Sequence, residues 1–153
     1  MDINMTWKSG LAFEGMGNSG YLVQLDSDKS VGGNDSAARP MELIALGLAG
    51  CMAMDIISIM KKKQQQVTDF NIKAHLDRSA DHPKVFTNAV IEFILYGRDI
   101  VQQELVRSIE LSATKYCPAH SMLSKVFPIQ LRYSVFDEFK QLKSSGEWTQ
   151  PIE

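Results

Sequence analysis

From Met41 to Met60 the chain runs almost without interruption through apolar residues. A stretch of that length is enough to cross a bilayer as a helix, so any fold for this chain must first find a place for it. Asp55 lies inside the run, and a carboxylate at the centre of a membrane helix costs about 2.5–3.5 kcal/mol on insertion scales. The rest of the chain alternates like ordinary sheet. A buried helix is therefore expected, with no membrane partner. Pro40 should open it, because the first helical position needs no N–H. Lys61-Lys62-Lys63 should close it, since cations suit the negative end of the helix dipole. The expected helix spans Pro40 to about Lys63. Its apolar residues are not confined to one stripe, so most of its sides must be covered. A chain of 153 residues makes one domain of ordinary size. A domain that small cannot easily surround such a helix, so a sheet is expected on one side and a partner subunit on another.

The flanking segments supply the sheet. Residues 5–14 alternate loosely and meet Gly15-Met16-Gly17-Asn18-Ser19-Gly20, a hairpin turn signal. Tyr21 to Asp26 reads as the returning strand, and residues 27–38 as a loop. After the helix, Phe70 to Asp77 alternates strictly and Val85 to Tyr96 is rich in β-branched and aromatic residues, giving two strands broken at Asp81-His82-Pro83. Residues 99–116 carry apolar positions at helical spacing. Cys117-Pro118 interrupts that helix, and a short one over residues 118–125 should follow. Ile129 to Val135 is the last expected strand. The polar tail from about residue 140 is expected to be mobile or peripheral. The order predicts a single α+β domain over residues 1–153 with a mostly antiparallel sheet.

Composition removes several function classes. The formal net charge is -2 and the pI about 5.9, which argues against nucleic acid, because phosphate binding needs a clustered basic surface. The N-terminus lacks a basic region followed by an apolar one, so no signal peptide is expected. Two cysteines are too few for a secreted disulfide scaffold. A reducing, cytoplasmic setting follows, where a cysteine pair is inert, redox-active or metal-binding.

Those cysteines are the main candidates for chemistry. Cys117 precedes Pro118 and so sits near a helix N-cap, where unpaired N–H groups favour a thiolate. Lys115 and His120 are close enough in sequence to add to that. Locally, Cys117 is as well explained by a small buried cysteine at a junction. Cys51 lies mid-helix and taken alone looks like a core residue. Gly47 and Gly50 beside it each cost about 1 kcal/mol relative to alanine, which makes sense if another backbone or a substrate approaches. Asp55 shares the face of Cys51 and, if charged, would oppose a thiolate; it is expected to be exposed or paired elsewhere. Arg39 opposes the dipole at the helix start. It has either a separate task or a simple pairing with Glu42, which itself suits the N-terminal dipole. His75 reads as structural and His82 as solvated. Zinc held by Cys51, Cys117 and His120 would have only three ligands and no short ligand spacing, so no metal is expected.

Arg39-Pro40-Met41-Glu42-Leu43, followed by Ala49-Gly50-Cys51 and Asp55, resembles the first cysteine motif of the OsmC and organic hydroperoxide resistance family. Tyr116-Cys117-Pro118-Ala119-His120 resembles the second. The order of elements matches over roughly residues 6–136, and the Pro-x-Glu-Leu form is most similar to the OsmC-like branch. The resemblance implies an intertwined homodimer with the long helices packed centrally and active sites at the subunit interface. It implies a stress-response antioxidant oxidoreductase, a thiol peroxidase acting on organic hydroperoxides. Cys51 would attack the peroxide and become a sulfenic acid. Cys117 would condense with it to a disulfide, and a dithiol reductant, lipoyl-type in well-known relatives, would reset the pair. No metal or organic cofactor is implied.

The chain departs from that pattern in its activating residues. The hydroperoxide enzymes place an arginine in the N-terminal strands and a glutamate directly after the proline. Here no arginine precedes Arg39, and Met41 follows Pro40 with Glu42 one residue later. Arg39, with Glu42, is the expected replacement for the activating pair. Two rival functions stand beside the peroxidase: another thiol chemistry such as sulfur or acyl transfer, and a non-catalytic dimer holding a small apolar ligand between subunits.

Overall fold

Pro40 does open the long helix. In a computed structural model that describes residues 1–149, α1 spans Pro40–Lys62. The chain gathers into two compact units, Met1–Leu46 and Gly47–Glu153. By length and composition α1 could cross a bilayer, with a mean hydropathy of 2.1 over its most apolar window.

The first unit holds an antiparallel sheet of three strands, β1 (Ile3–Ser9), β2 (Ala12–Gly17) and β3 (Leu22–Leu25), in that order. This corrects the expected two-stranded hairpin. The chain reverses first at Gly10-Leu11, where Gly10 takes the left-handed φ of 53° that glycine accepts without strain. Gly15 and Gly17, expected in a turn, lie within β2 opposite Met5 and Ile3. Only Asn18 to Gly20 remains as the second turn, closed by Gly20 N–H donating to the Gly17 carbonyl at 3.1 Å.

The following loop is organised by Asp26. Its buried carboxylate accepts from the backbone N–H of Ser27, Asn34 and Ser36 and from the Ser36 hydroxyl, at 2.7, 3.0, 3.1 and 2.6 Å. Four donors hold its pKa down at about 2, the Ser36 hydroxyl contributing most.

The second unit is built on the sheet β4 (Gln66–Arg78), β5 (Phe86–Arg98), β6 (Ile129–Phe136) and β7 (Leu142–Trp148), in that order. β4–β5 and β6–β7 are antiparallel, and β5–β6 is parallel. A parallel pair needs a crossover. Here it consists of α2 (Gln102–Leu111), a π-helical turn (Ser112–Tyr116) and α3 (Pro118–Leu123). Alternation along β5 and β6 turns Ile91, Phe93, Leu95, Leu131, Tyr133 and Val135 to one face. Leu48, Met52, Ile56 and Met60 of α1 and Leu105 and Ile109 of α2 join them in one core. The four α1 residues recur every fourth position and so form one stripe.

The polar segment expected to be mobile or peripheral pairs with β6 as the edge strand β7. Its residues are mostly exposed, so it carried no apolar signal; backbone hydrogen bonds define it. The part of that expectation beyond residue 149 lies outside the described residues.

Candidate functional site: two thiols and a carboxylate

α1 carries Cys51, and Asp55 one turn further on, on the same side of the helix. Cys117 reaches them from the crossover. The helix expected over residues 99–116 is regular only to Leu111 and then widens into the π-helical turn. Cys117 N–H closes that turn by donating to the Ser112 carbonyl at 2.9 Å. Wide turns of this kind are short and recur at functional sites. Cys117 itself is extended, and Pro118 starts α3 as expected of a first helical position.

The two sulfurs lie 2.7 Å apart although their residues are 66 positions apart in sequence. Both are free thiols. A small side-chain rotation would bring them to a disulfide bond length of about 2.05 Å. The Asp55 carboxylate completes the group: one ligand atom from each of Cys51, Asp55 and Cys117 lies within 4.8 Å of the others. Asp55 is paired, as expected, and its partner is Ser112. The fully buried Ser112 hydroxyl donates to Asp55 Oδ2 at 2.9 Å. The sequence carried a signal for that contact. Ser112 sits between Leu111 and Ala113 on the apolar face of the helix, and a buried hydroxyl needs a partner.

Local sequence left Cys117 open between a thiolate at a helix start and a small buried cysteine at a junction. The structure buries it. Cys117 is 2% exposed, and burial, with the hydrogen bond to Cys51, pushes its thiol up to about 12. The His120 N–H, donating to its sulfur at 3.3 Å, pulls the other way but does less. Cys117 therefore keeps its proton at neutral pH and directs it at Cys51.

Neither the Lys115 nor the His120 side chain adds to that downward pull on the Cys117 thiol. Lys115 stands over the exposed Tyr116 ring, 5.4 Å from its centroid. His120 is buried, which lowers its pKa and keeps the ring neutral; Nδ1–H donates to the Ala113 carbonyl at 3.0 Å. Its ring lines a separate cleft with Asn88, Gln130 and Trp148. The third ligand-type group beside the thiols is thus Asp55 and not His120.

Arg39 and Glu42 direct their polar atoms inside the first unit. Glu42 Oε2 accepts from the backbone N–H of Arg39 at 2.9 Å, the N-terminal half of a capping box. The Arg39 guanidinium pairs with the Asp35 carboxylate and donates to the Ala37 carbonyl at 3.2 Å. The expected Arg39–Glu42 side-chain pair is replaced by these two contacts. His75 is exposed on β4 beside Asp77, at 3.1 Å. Gly47 and Gly50 have no atom within 4 Å of the position a Cβ would take, so nothing in the described residues makes the close approach that these glycines suggested.

Comparison with known proteins finds relatives in both sequence and fold. The profile of the OsmC-like protein family matches residues 32–132. Protein YhfA of Escherichia coli K12 is 35% identical over 135 residues, covering 88% of this chain and 98% of its own. A hypothetical protein from Aquifex aeolicus VF5 superposes with a TM-score of 0.79 at 23% identity, over 90% of this chain and 96% of its own. The organic hydroperoxide resistance protein OsmC of Legionella pneumophila superposes with a TM-score of 0.61 at 17% identity, over 88% and 96% respectively.

Proposed function

Because the chain belongs to the OsmC-like protein family, we propose that it is a cytoplasmic thiol peroxidase that reduces organic hydroperoxides through Cys51 and Cys117. The observation that carries this reading is the 2.7 Å separation of the two free sulfurs. The name of the Legionella relative points to the same substrate class.

The two sulfurs take different roles in this cycle. Cys51, the half-buried one, attacks the terminal peroxide oxygen as a thiolate. The O–O bond breaks, the alkoxide takes up a proton and leaves as the alcohol, and Cys51 becomes a sulfenic acid. Cys117 then loses its proton and attacks the Cys51 sulfur. The S–S bond forms and hydroxide leaves as water. A dithiol reductant, lipoyl-type in chemistry, resets the pair by exchange and is itself oxidised to a disulfide. A buried thiol pushed up to about 12 suits the second step better than the first.

The cycle is tested by adding one equivalent of cumene hydroperoxide or hydrogen peroxide to the reduced protein and following the thiols by mass spectrometry. The expected product is a Cys51–Cys117 disulfide, formed faster with the organic peroxide. Cys117→Ser should stop at a sulfenic acid on Cys51 that dimedone traps. Slow oxidation with no preference between the peroxides would sink the proposal.

Arg39 is assigned as the cation that serves Cys51, with Glu42 fixing the helix start beside it. Arg39→Ala should then change the pH dependence of Cys51 alkylation. An unchanged profile would return Arg39 to its pairing with Asp35 alone.

The assembly proposed is a homodimer. Only 22% of the most apolar window of α1 is buried within the chain, and Leu46 and Met54 are 63% and 69% exposed. Open space at Gly47 and Gly50 suits a partner helix. The small sheet of the first unit also exposes Met5, Trp7, Phe13 and Leu22, more apolar surface than such a unit normally leaves to water.

A further inference from the structure

Cys51, Asp55 and Cys117 offer two sulfurs and a carboxylate oxygen within 4.8 Å of one another. We propose that the reduced protein binds one thiophilic divalent ion of the zinc class at these three residues, and that closing the disulfide expels it.

The distances fit such an ion after a small adjustment. Zinc–sulfur bonds of about 2.3 Å at a tetrahedral angle hold two sulfurs ~3.8 Å apart. The pair now stands at 2.7 Å, so the sulfurs must part by roughly 1 Å to meet that geometry.

The donor set selects the metal. Two thiolates favour a soft or borderline ion such as zinc or cadmium over magnesium or calcium, which take oxygen ligands. Binding releases both thiol protons to solvent, leaving two thiolates and one carboxylate around a dication.

The third ligand is already held in place. Ser112 is fully buried, and its hydroxyl fixes one oxygen of Asp55 at 2.9 Å while the other remains available. Ligand carboxylates in metal sites are oriented by such outer hydrogen bonds. Asp55 also lines an open cleft of about 320 Å³ with Ser58, Leu111 and Tyr116. Lys62 and Lys63 line that cleft too, and neither cysteine does, so the cleft reaches the carboxylate of the group and not its sulfurs.

Occupancy does not require that the protein reduce peroxides. It does exclude the disulfide, because an S–S bond uses the sulfur electrons that would hold the metal. Any oxidant of the pair therefore releases the ion, and a bound ion shields both sulfurs from attack.

The test is a titration of the full-length, reduced, metal-free protein under anaerobic conditions. Cadmium is followed by its ultraviolet thiolate charge-transfer band, and zinc by competition with a chromogenic chelator. One equivalent per chain is expected, unaffected by millimolar magnesium or calcium. Cys51→Ser and Cys117→Ser should each abolish tight binding. Ser112→Ala should weaken it by about 10–100-fold, the usual effect of losing an outer-shell partner, and Asp55→Asn at least as much. Circular dichroism of each variant checks that the fold survives. Diamide takes up the two thiol hydrogens as it is reduced to the hydrazine; after this treatment the protein should bind no metal. Binding that ignores both Asp55→Asn and Ser112→Ala would overturn the proposal by showing unassisted dithiol chelation. So would binding that survives the loss of either cysteine, or a stoichiometry above one.

Discussion

Cys117 is the residue at which local and global physics disagree most. At a helix start, capped by the His120 N–H, it has the features that normally lower a thiol pKa. It is also 2% exposed, and withdrawing the charged form from water outweighs the backbone N–H groups of His120 and Ala119 and the weak dipole of the six-residue α3. The thiol is pushed up to about 12, so at pH 7 iodoacetamide should label Cys51 and leave Cys117 unmodified until the protein unfolds, as peptide mapping would show. The stability consequence has a definite sign. A thiol whose folded pKa is raised keeps its proton when the unfolded one does not. Its contribution is complete below about pH 9 and is lost as pH rises toward 12. The melting temperature of the wild type should therefore fall more steeply between pH 9 and 11 than that of Cys117→Ala. Asp26 gives the opposite case. Its pKa is held down from 3.8 to about 2, so its contribution is present above pH 4 and lost as pH falls toward 2. Asp26→Asn should remove that acid dependence from the unfolding of the first unit; an unchanged acid limb would mean that the loop tolerates a neutral Asp26.

Helix α1 was the most legible element, because a long apolar run with proline at its start leaves few alternatives. Its stripe of Leu48, Met52, Ile56 and Met60 is fully buried, and Met52→Ala should cost about 2–5 kcal/mol, the range for emptying a packed core position. Chemical denaturation would measure it, and a cost under 1 kcal/mol would mean the site collapses around the gap. The N-terminus of α1 depends on Glu42, which accepts the Arg39 N–H. Glu42→Ala should cost about 0.5–2 kcal/mol, as for other lost caps. The π-helical turn was not legible. Ser112 to Tyr116 contains no residue that marks such a turn, and the sequence read as uninterrupted helix to Tyr116. β1 and β2 were merged for a related reason: the cluster of glycines after Glu14 outweighed the single Gly10, although Gly10 and Gly20 both take positive φ and each marks a turn, while Gly15 and Gly17 lie within a strand.

The molecule as a whole leaves much of α1 uncovered. Leu46 and Met54 stand exposed on a helix with a mean hydropathy of 2.1 over its most apolar window, and a second copy of the chain is the partner proposed for them. Analytical ultracentrifugation should give twice the chain mass. Met54→Glu should shift the protein toward monomer, because it would place an unpaired charge in the interface. A wild type that sediments as a monomer at micromolar concentration would refute the homodimer. The edge strand β7 teaches a complementary lesson at this scale. Seven mostly polar residues became part of the sheet because β6 offered an unpaired backbone edge.

The sequence by itself determined the elements that bury a pattern: α1, the alternating strands β4, β5 and β6, the crossover helices, and the two cysteine motifs that carry family membership. Each of these is written in residues a few positions apart, where periodicity, capping and proline act directly. Only the tertiary structure decided that Cys51 and Cys117 meet at 2.7 Å, that Cys117 is buried with its thiol pushed up to about 12, and that Asp55 rather than His120 stands beside them. Those outcomes depend on how much protein surrounds each group and on which segments the crossover brings together. Desolvation and long-range contact are sums over residues remote in the chain, and no local window contains them.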